Sequence, residues 1–293
     1  MILLAVIPGI VLFVVIWRSD RVEKEPAGLL LKLFLFGALT IVSAIVVGKA
    51  GEAAFSFLNP ASMLYIFIDN FLLTALVEEL GKYVVVKKVT WKHPAFDHTF
   101  DAVVYAVTVS LGFATLENII YLIGADVGLG IVRGLMSVPG HAIYGVFMGC
   151  YYGLAKAAEV RGDNKLCKSN LRKALIIPTL LHGFYDFCIG SSGYSIFLVF
   201  LLVFEIVLTV VGIKKIRKLS REDVAILPDT VPETVPGAEP QMTAGMAAET
   251  APGAEPQMTA DIVQDQVMAS HSAPDQAMAS HTAPDITPDK PGA

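Results

Sequence analysis

Apolar residues run through the first three-quarters of the chain in seven blocks, at about 2–17, 28–48, 61–86, 99–123, 127–155, 171–189 and 194–213. Most are long enough for a helix to cross a hydrocarbon core, which takes about 20 residues. The pattern predicts an all-α fold, a polytopic membrane bundle of about seven transmembrane helices. The first block has no basic segment before it and no small-residue cleavage site; Arg18, Arg21 and Lys24 follow it. It therefore reads as a retained anchor rather than a secretory signal. The fifth block is longer than a span requires and contains Gly134, Pro139 and Gly140. A kink or short surface turn ahead of a proper span is expected there.

The loops sort by charge. Lysines and arginines follow the first, third, fifth and seventh blocks, as in Lys87, Lys88 and Lys92, or Lys156, Arg161, Lys165 and Lys168. The alternate loops are nearly bare, with Lys49 in one and no basic residue at 124–130 or 190–193. By the positive-inside rule the amino terminus lies outside and the carboxy terminus in the cytoplasm of a cell (plasma) membrane protein.

Composition changes this picture in one respect. Of the 293 residues, 54% are hydrophobic and 17% charged, and the mean hydropathy is +0.61. Those values exclude an ordinary soluble domain. The net charge of −5 averages two unlike parts. Residues 1–223 hold 21 Lys/Arg against 17 Asp/Glu, whereas 224–293 hold Lys290 against ten acids. The second part is rich in Pro, Ala, Thr and Asp and repeats itself, with PGAEPQMTA at 236–244 and again at 252–260. Such a segment cannot bury enough apolar surface to offset its chain entropy. Two regions are thus expected, a membrane domain over 1–223 and a disordered acidic tail over 224–293. No basic surface suggests nucleic acid as a partner. Cys150, Cys167 and Cys188 form no C-x-x-C pair and read as free thiols.

Few residues inside the blocks do not belong in lipid. They are Glu78, Glu79 and Lys82 in the third, Asp101, Glu117 and Asn118 in the fourth, Arg133 and His141 in the fifth, and His182 and Asp186 in the sixth. An ionisable group at mid-membrane costs about 2.5–3.5 kcal/mol on insertion scales, so such groups usually mark function. Counted at about 1.5 Å per residue from the basic flanks, Glu78, Glu117, His141, His182 and Asp186 share a middle layer. Lys82 is one turn from Glu78 and can pair with it, leaving Glu79 about 100° further round. Asp186 is one turn from His182 and can orient its ring. Arg133, Ser137 and His141 also step by four, provided that stretch is continuous helix. Glutamates beside two histidines can activate a water for hydrolysis, with or without a metal.

Glu-Glu-x-x-Lys at 78–82, Gly-Phe-x-x-x-Glu-Asn at 112–118, Arg133 with Pro139-x-His141, and His182-x-x-x-Asp186 together resemble the motif set of the PrsW family of intramembrane proteases. That family is related to the type II CAAX prenyl proteases. The resemblance covers about 61–190 and implies a membrane peptidase with Glu78, Glu79, His141 and His182 essential. It also implies a membrane-tethered regulator, such as an anti-sigma factor, as substrate.

On this reading Glu78 or Glu79 is the general base, and Lys82 keeps the other acid ionised. Glu117 and Asn118 complete the site. His141 and His182 either hold a divalent metal such as zinc or stabilise the oxyanion. Against zinc stands Lys82, whose charge would repel a cation, and metal-free chemistry stays open. Two other classes use the same polar layer: a proton-coupled transporter, which internal inverted repeats would favour, and an inactive scaffold for other membrane proteins. No H-E-x-x-H is present, and Gly190-Ser191-Ser192-Gly193 has no later transmembrane histidine to make it a rhomboid-type serine site.

Overall fold

Long apolar runs without internal charge bury their backbone polar groups only as helices, and helices are what the computed structural model of the protein contains. The structure describes residues 1–226. Helix α1 spans Ile2–Ser19 and α2 spans Ala27–Ala54. The third apolar block is continuous but not uniform. A short α3 (Met63–Phe67), capped by Ser62, passes into a π-helical segment (Ile68–Ala75) and then into α4 (Leu76–Thr90). Helix α5 covers Asp101–Tyr121, α8 Asn164–Gly190 and α9 Ser195–Arg221. The fifth block divides, as its glycines and proline suggest, into a short α6 (Val127–Leu135) and a membrane-length α7 (Ser137–Val160). The break falls at Met136.

The bundle is built around α5, which is buried along most of its length. Helices α1, α2 and α9 lie outside it and turn large apolar side chains outward, among them Ile2, Leu31, Leu39 and Leu202. Those three and α5 are the described helices long and apolar enough to cross a membrane. Stretch 63–90, α7 and α8 carry the polar residues that lower their own hydropathy. The protein is an integral membrane protein whose polar groups face inward.

Helix–helix association in lipid depends on close packing, because lipid tails are as apolar as the side chains. Small residues permit that approach here. Gly145, Gly149 and Gly153 form a stripe of α7 against α5, and a Cβ on Gly149 would stand 2.5 Å from the Ala102 carbonyl oxygen. Gly112 of α5 meets α2 as tightly, its absent Cβ lying 2.0 Å from the Phe34 carbonyl oxygen. Gly112→Ala should therefore force the two backbones apart and destabilise the fold by about 1–3 kcal/mol or more, the range for overpacking. A fall in the melting temperature of the detergent-purified protein checks this; an unchanged value would show that α2 and α5 can separate freely.

The last described residues cross the 92–100 loop. Asp223 accepts hydrogen bonds from Thr99 Oγ1 (2.9 Å) and the Phe100 N–H (2.8 Å). The Thr99 N–H donates to the Val224 carbonyl (3.1 Å), and Ile226 is buried. Residues 224–226 thus belong to the helical domain, three residues beyond the change in composition. The rest of the expected tail, 227–293, lies outside the described residues. The three cysteines are free and buried.

Candidate active site

Helix α4 delivers three charged side chains into the bundle, and all three are buried: Glu78, Glu79 and Lys82. The Lys82 ammonium donates to Glu79 Oε1 at 2.7 Å and lies 3.6 Å from Glu78 Oε2. The nearer partner is thus Glu79, three residues before it, rather than Glu78, four before it. Both spacings place side chains on one helix face, and the choice falls on the acid directed into the packed interior. Glu78 faces the other way, onto the wall of a cavity of about 770 Å³. The widened π-helical turns end three residues before Glu78; such irregular turns are frequent at functional sites.

The two histidines meet this helix from α7 and α8. Their rings lie 5.0 Å apart and nearly perpendicular. His182 Nδ1 is 3.1 Å from Glu79 Oε1; a carboxylate only accepts, so that nitrogen carries the proton. His141 Nδ1 is 3.2 Å from the Lys82 ammonium, which only donates, so there the proton sits on Nε2 and points to Glu117 Oε2 at 3.1 Å. Helix α4 therefore holds both imidazoles by Nδ1 and leaves both Nε2 atoms toward the cavity. His182 Nε2 lies 3.9 Å from Glu78 Oε2 and 3.1 Å from Asp186 Oδ2. The Asp186 contact is close but lacks hydrogen-bond geometry, and Asp186 Oδ2 has no partner. Glu79, from another helix, is thus the residue that takes the ring N–H of His182.

Glu117 and Asn118 come from the end of α5. Arg133 of α6 donates to both, through Nη2 to Glu117 Oε2 and through Nε to Asn118 Oδ1, each at 2.8 Å. The break at Met136 ends the continuous step from Arg133 to His141, yet Arg133 still turns inward, its guanidinium 3.9 Å above the Tyr121 ring. The cavity wall includes Glu78, Glu117, Arg133, His141, His182 and Asp186. Glu79 and Lys82 lie behind it with no exposed surface. A second space of about 290 Å³, between α2, α5 and the π-helical segment, shares Glu52, Thr74, Glu78, Glu117 and Tyr121 with the first.

Two residues of this region are not singled out by the sequence reading. Tyr144 stacks on His182 with ring centres 5.0 Å apart, and its hydroxyl is buried at the cavity wall without a partner. An aromatic inside an apolar run carries no distinguishing signal. Glu205 is buried on the face of α9 that packs Leu201 and Leu208 against Tyr144 and Tyr185. Its signal was present, an acid in the middle of the seventh block, open to the same cost argument as Glu78.

Glu78, His141 and His182 each offer one donor atom, and these atoms lie within 4.8 Å of one another. Two imidazoles and a carboxylate are a donor set used by catalytic zinc, which keeps a further position for water. Glu78 Oε2 is buried with no hydrogen-bond partner, as a ligand oxygen awaiting an ion would be. The Lys82 ammonium, the feature expected to repel a cation, is bonded to Glu79 at 2.7 Å, which offsets its charge, and it also lies 3.2 Å from His141 Nδ1 and 3.6 Å from Glu78 Oε2. The donor types and their spacing fit such an ion.

Carboxylates and imidazoles converging on one cavity of a membrane bundle are the equipment of an intramembrane hydrolase. The comparisons name the kind: the family model described as PrsW family intramembrane metalloprotease matches residues 25–211. The chain is 32% identical over 217 residues to Protease PrsW of Oceanobacillus iheyensis, spanning 74% of this chain and 94% of that protein. It is 38% identical over 181 residues to Protease PrsW of Geobacillus kaustophilus, at 62% and 76% coverage, and 34% identical over 211 residues to Protease PrsW of Bacillus subtilis strain 168, at 72% and 91%. No solved structure matches. The chain belongs to the PrsW family and is an intramembrane peptidase.

Proposed function

We propose that this protein hydrolyses a peptide bond of a membrane-tethered regulatory protein, of the anti-sigma-factor type, in the cavity lined by Glu78, Glu117, His141 and His182. The observation that carries this reading is the convergence of Glu78, His141 and His182 on one wall of that cavity. An extended substrate segment would lie along the two neighbouring spaces, which share Glu78 and Glu117 as wall residues. Glu78, His141 and His182 would hold a divalent ion such as zinc, which supplies Lewis-acid polarisation of the scissile carbonyl when bound. Holding it through His141 would require the Lys82–His141–Glu117 chain to give up one proton, as is general for metal uptake by protonated ligands.

The protein's own groups do the rest. Glu117 is the general base: Arg133 pairs with its Oε2, and its second oxygen, Oε1, accepts no hydrogen bond among the described residues. It takes a proton from water and returns it to the leaving amine. Glu79 and Lys82 position the two imidazoles. Tyr144 donates its free hydroxyl to the oxyanion. Removing one such donor costs about 10²–10³ in kcat. Tyr144→Phe should show that loss with KM unchanged, and full activity would remove Tyr144 from the mechanism. The test of the reading as a whole is cleavage of single-span membrane proteins by the purified chain, with His182→Ala as the inactive comparison.

The membrane domain, whose described residues run to Ile226, and the acidic repeat tail beyond it are proposed as separate parts, the amino terminus outside the plasma membrane and the tail in the cytoplasm. Accessibility tags at 160–165 and in the tail should then be cytoplasmic, and one at 190–193 external. A chain cut after Ile226 should cleave at the full rate. An external tail or an inactive truncation would contradict this arrangement.

A further inference from the structure

Away from the cavity, the 20–26 and 92–100 loops meet residues 222–226 at one end of the bundle, where Glu23 and Asp97 lie beside His98. Asp97 Oδ1 lies 2.8 Å from His98 Nδ1, and Glu23 Oε1 lies 4.0 Å from the same nitrogen. One donor atom from each of Glu23, Asp97 and His98 falls within 4.8 Å of the other two. Asp20 is 3% exposed, and neither of its carboxylate oxygens has a hydrogen-bond partner. It belongs to the same 20–26 loop as Glu23. Among the described residues none of these acids is ion-paired with a lysine or arginine. The nearest in sequence, Lys24, instead donates to the main-chain oxygens of Trp17 and Asp20.

Buried carboxylates without partners are costly and are normally neutralised by a proton, a cation or a metal. Burial raises the Asp20 carboxyl above the ordinary aspartate range, Lys24 opposing and Asp223 adding to the rise. An imidazole among the donors favours a borderline ion such as zinc over calcium or magnesium, which select oxygen alone.

We propose that Glu23, Asp97 and His98, with Asp20 beneath them, form a second divalent-ion site, of zinc type, that clamps the α1–α2 loop to the α4–α5 loop. The backbone of His98 also pairs with Ala225, so the clamp braces the point where the chain leaves the helical domain. The site is independent of the protease chemistry.

The test uses the full chain in detergent with His141→Ala and His182→Ala, so that the cavity histidines cannot bind. Titration with zinc chloride, followed by desalting and metal analysis, should retain one equivalent and raise the melting temperature. Adding His98→Ala should abolish both effects while leaving the metal-free melting temperature in place. Glu23→Gln, at an exposed side chain that the fold does not need, should weaken zinc binding at least tenfold. Asp20→Asn should weaken it about 10–100-fold, the range for groups that support a ligand. Should the double-histidine parent fail to fold, His98→Ala in the otherwise native chain should lower the zinc content by one equivalent. Zinc binding unaffected by both His98→Ala and Glu23→Gln would overturn the proposal, as would a folded parent that retains no zinc.

Discussion

Glu78→Gln and Glu117→Gln are each expected to lower cleavage by about 10²–10⁴-fold, the range for loss of an acid–base group, but to differ in what else they remove. Among the described residues Glu78 makes only long ionic contacts, 3.6 Å to Lys82 and 3.9 Å to His182, so a glutamine of the same shape should fold as well. What it loses is the anionic oxygen beside the two histidines. Bound metal and activity should therefore disappear together. Glu117 lies outside the trio proposed to hold a metal and is anchored by Arg133. Its glutamine variant should keep the ion and lose the rate. Metal content and initial rates measured on the same preparations check both. A Glu78→Gln protein with native metal content, or a Glu117→Gln protein within threefold of the native rate, would reverse the roles assigned here.

The second large effect concerns stability. Glu79 and Lys82 are buried without exposed surface and bonded at 2.7 Å. Removing one partner of such a pair leaves an uncompensated charge and typically costs about 3–5 kcal/mol. Glu79→Leu and Lys82→Met should each destabilise the protein by that order. The double variant should recover most of the loss, because an apolar pair needs no partner in this setting. Activity should not recover. His182 would lose the acceptor on Nδ1 and His141 its contact to Lys82, and loss of such supporting bonds typically costs 10–100-fold. Melting temperatures and rates across the four proteins separate the two contributions. Recovery of rate together with stability would show that the pair only fills space.

The helices were largely legible from the chain. Apolar runs of membrane length mark the spans, and the glycines with Pro139 mark the division of the fifth run, because both signals are local. The π-helical turns over 68–75 were not legible, since nothing in IDNFLLTA distinguishes five-residue hydrogen bonding from four. At the site, residue types and depth bring Glu78, Glu117, His141 and His182 into one layer. Which side chain serves which depends on contacts between helices. Sequence spacing offered Asp186 as the partner of His182, one turn along the same helix. Three-dimensional packing places Asp186 3.1 Å from Nε2 and adds Glu79 from α4 on Nδ1. Tyr144 is visible only through its ring stacking and its unpaired hydroxyl. Glu205 needed no structure, only the cost argument applied to the last span as to the third.

The central claim is peptide-bond hydrolysis at this intramembrane site. The most direct measurement incubates the purified full chain, in proteoliposomes, with a panel of single-span membrane proteins and identifies product termini by mass spectrometry. At least one substrate should be cut within or beside its membrane segment by the native chain, and no product should form with Glu78→Gln or His182→Ala. Substrates left intact by the native chain, or equal product from the variants, would contradict it.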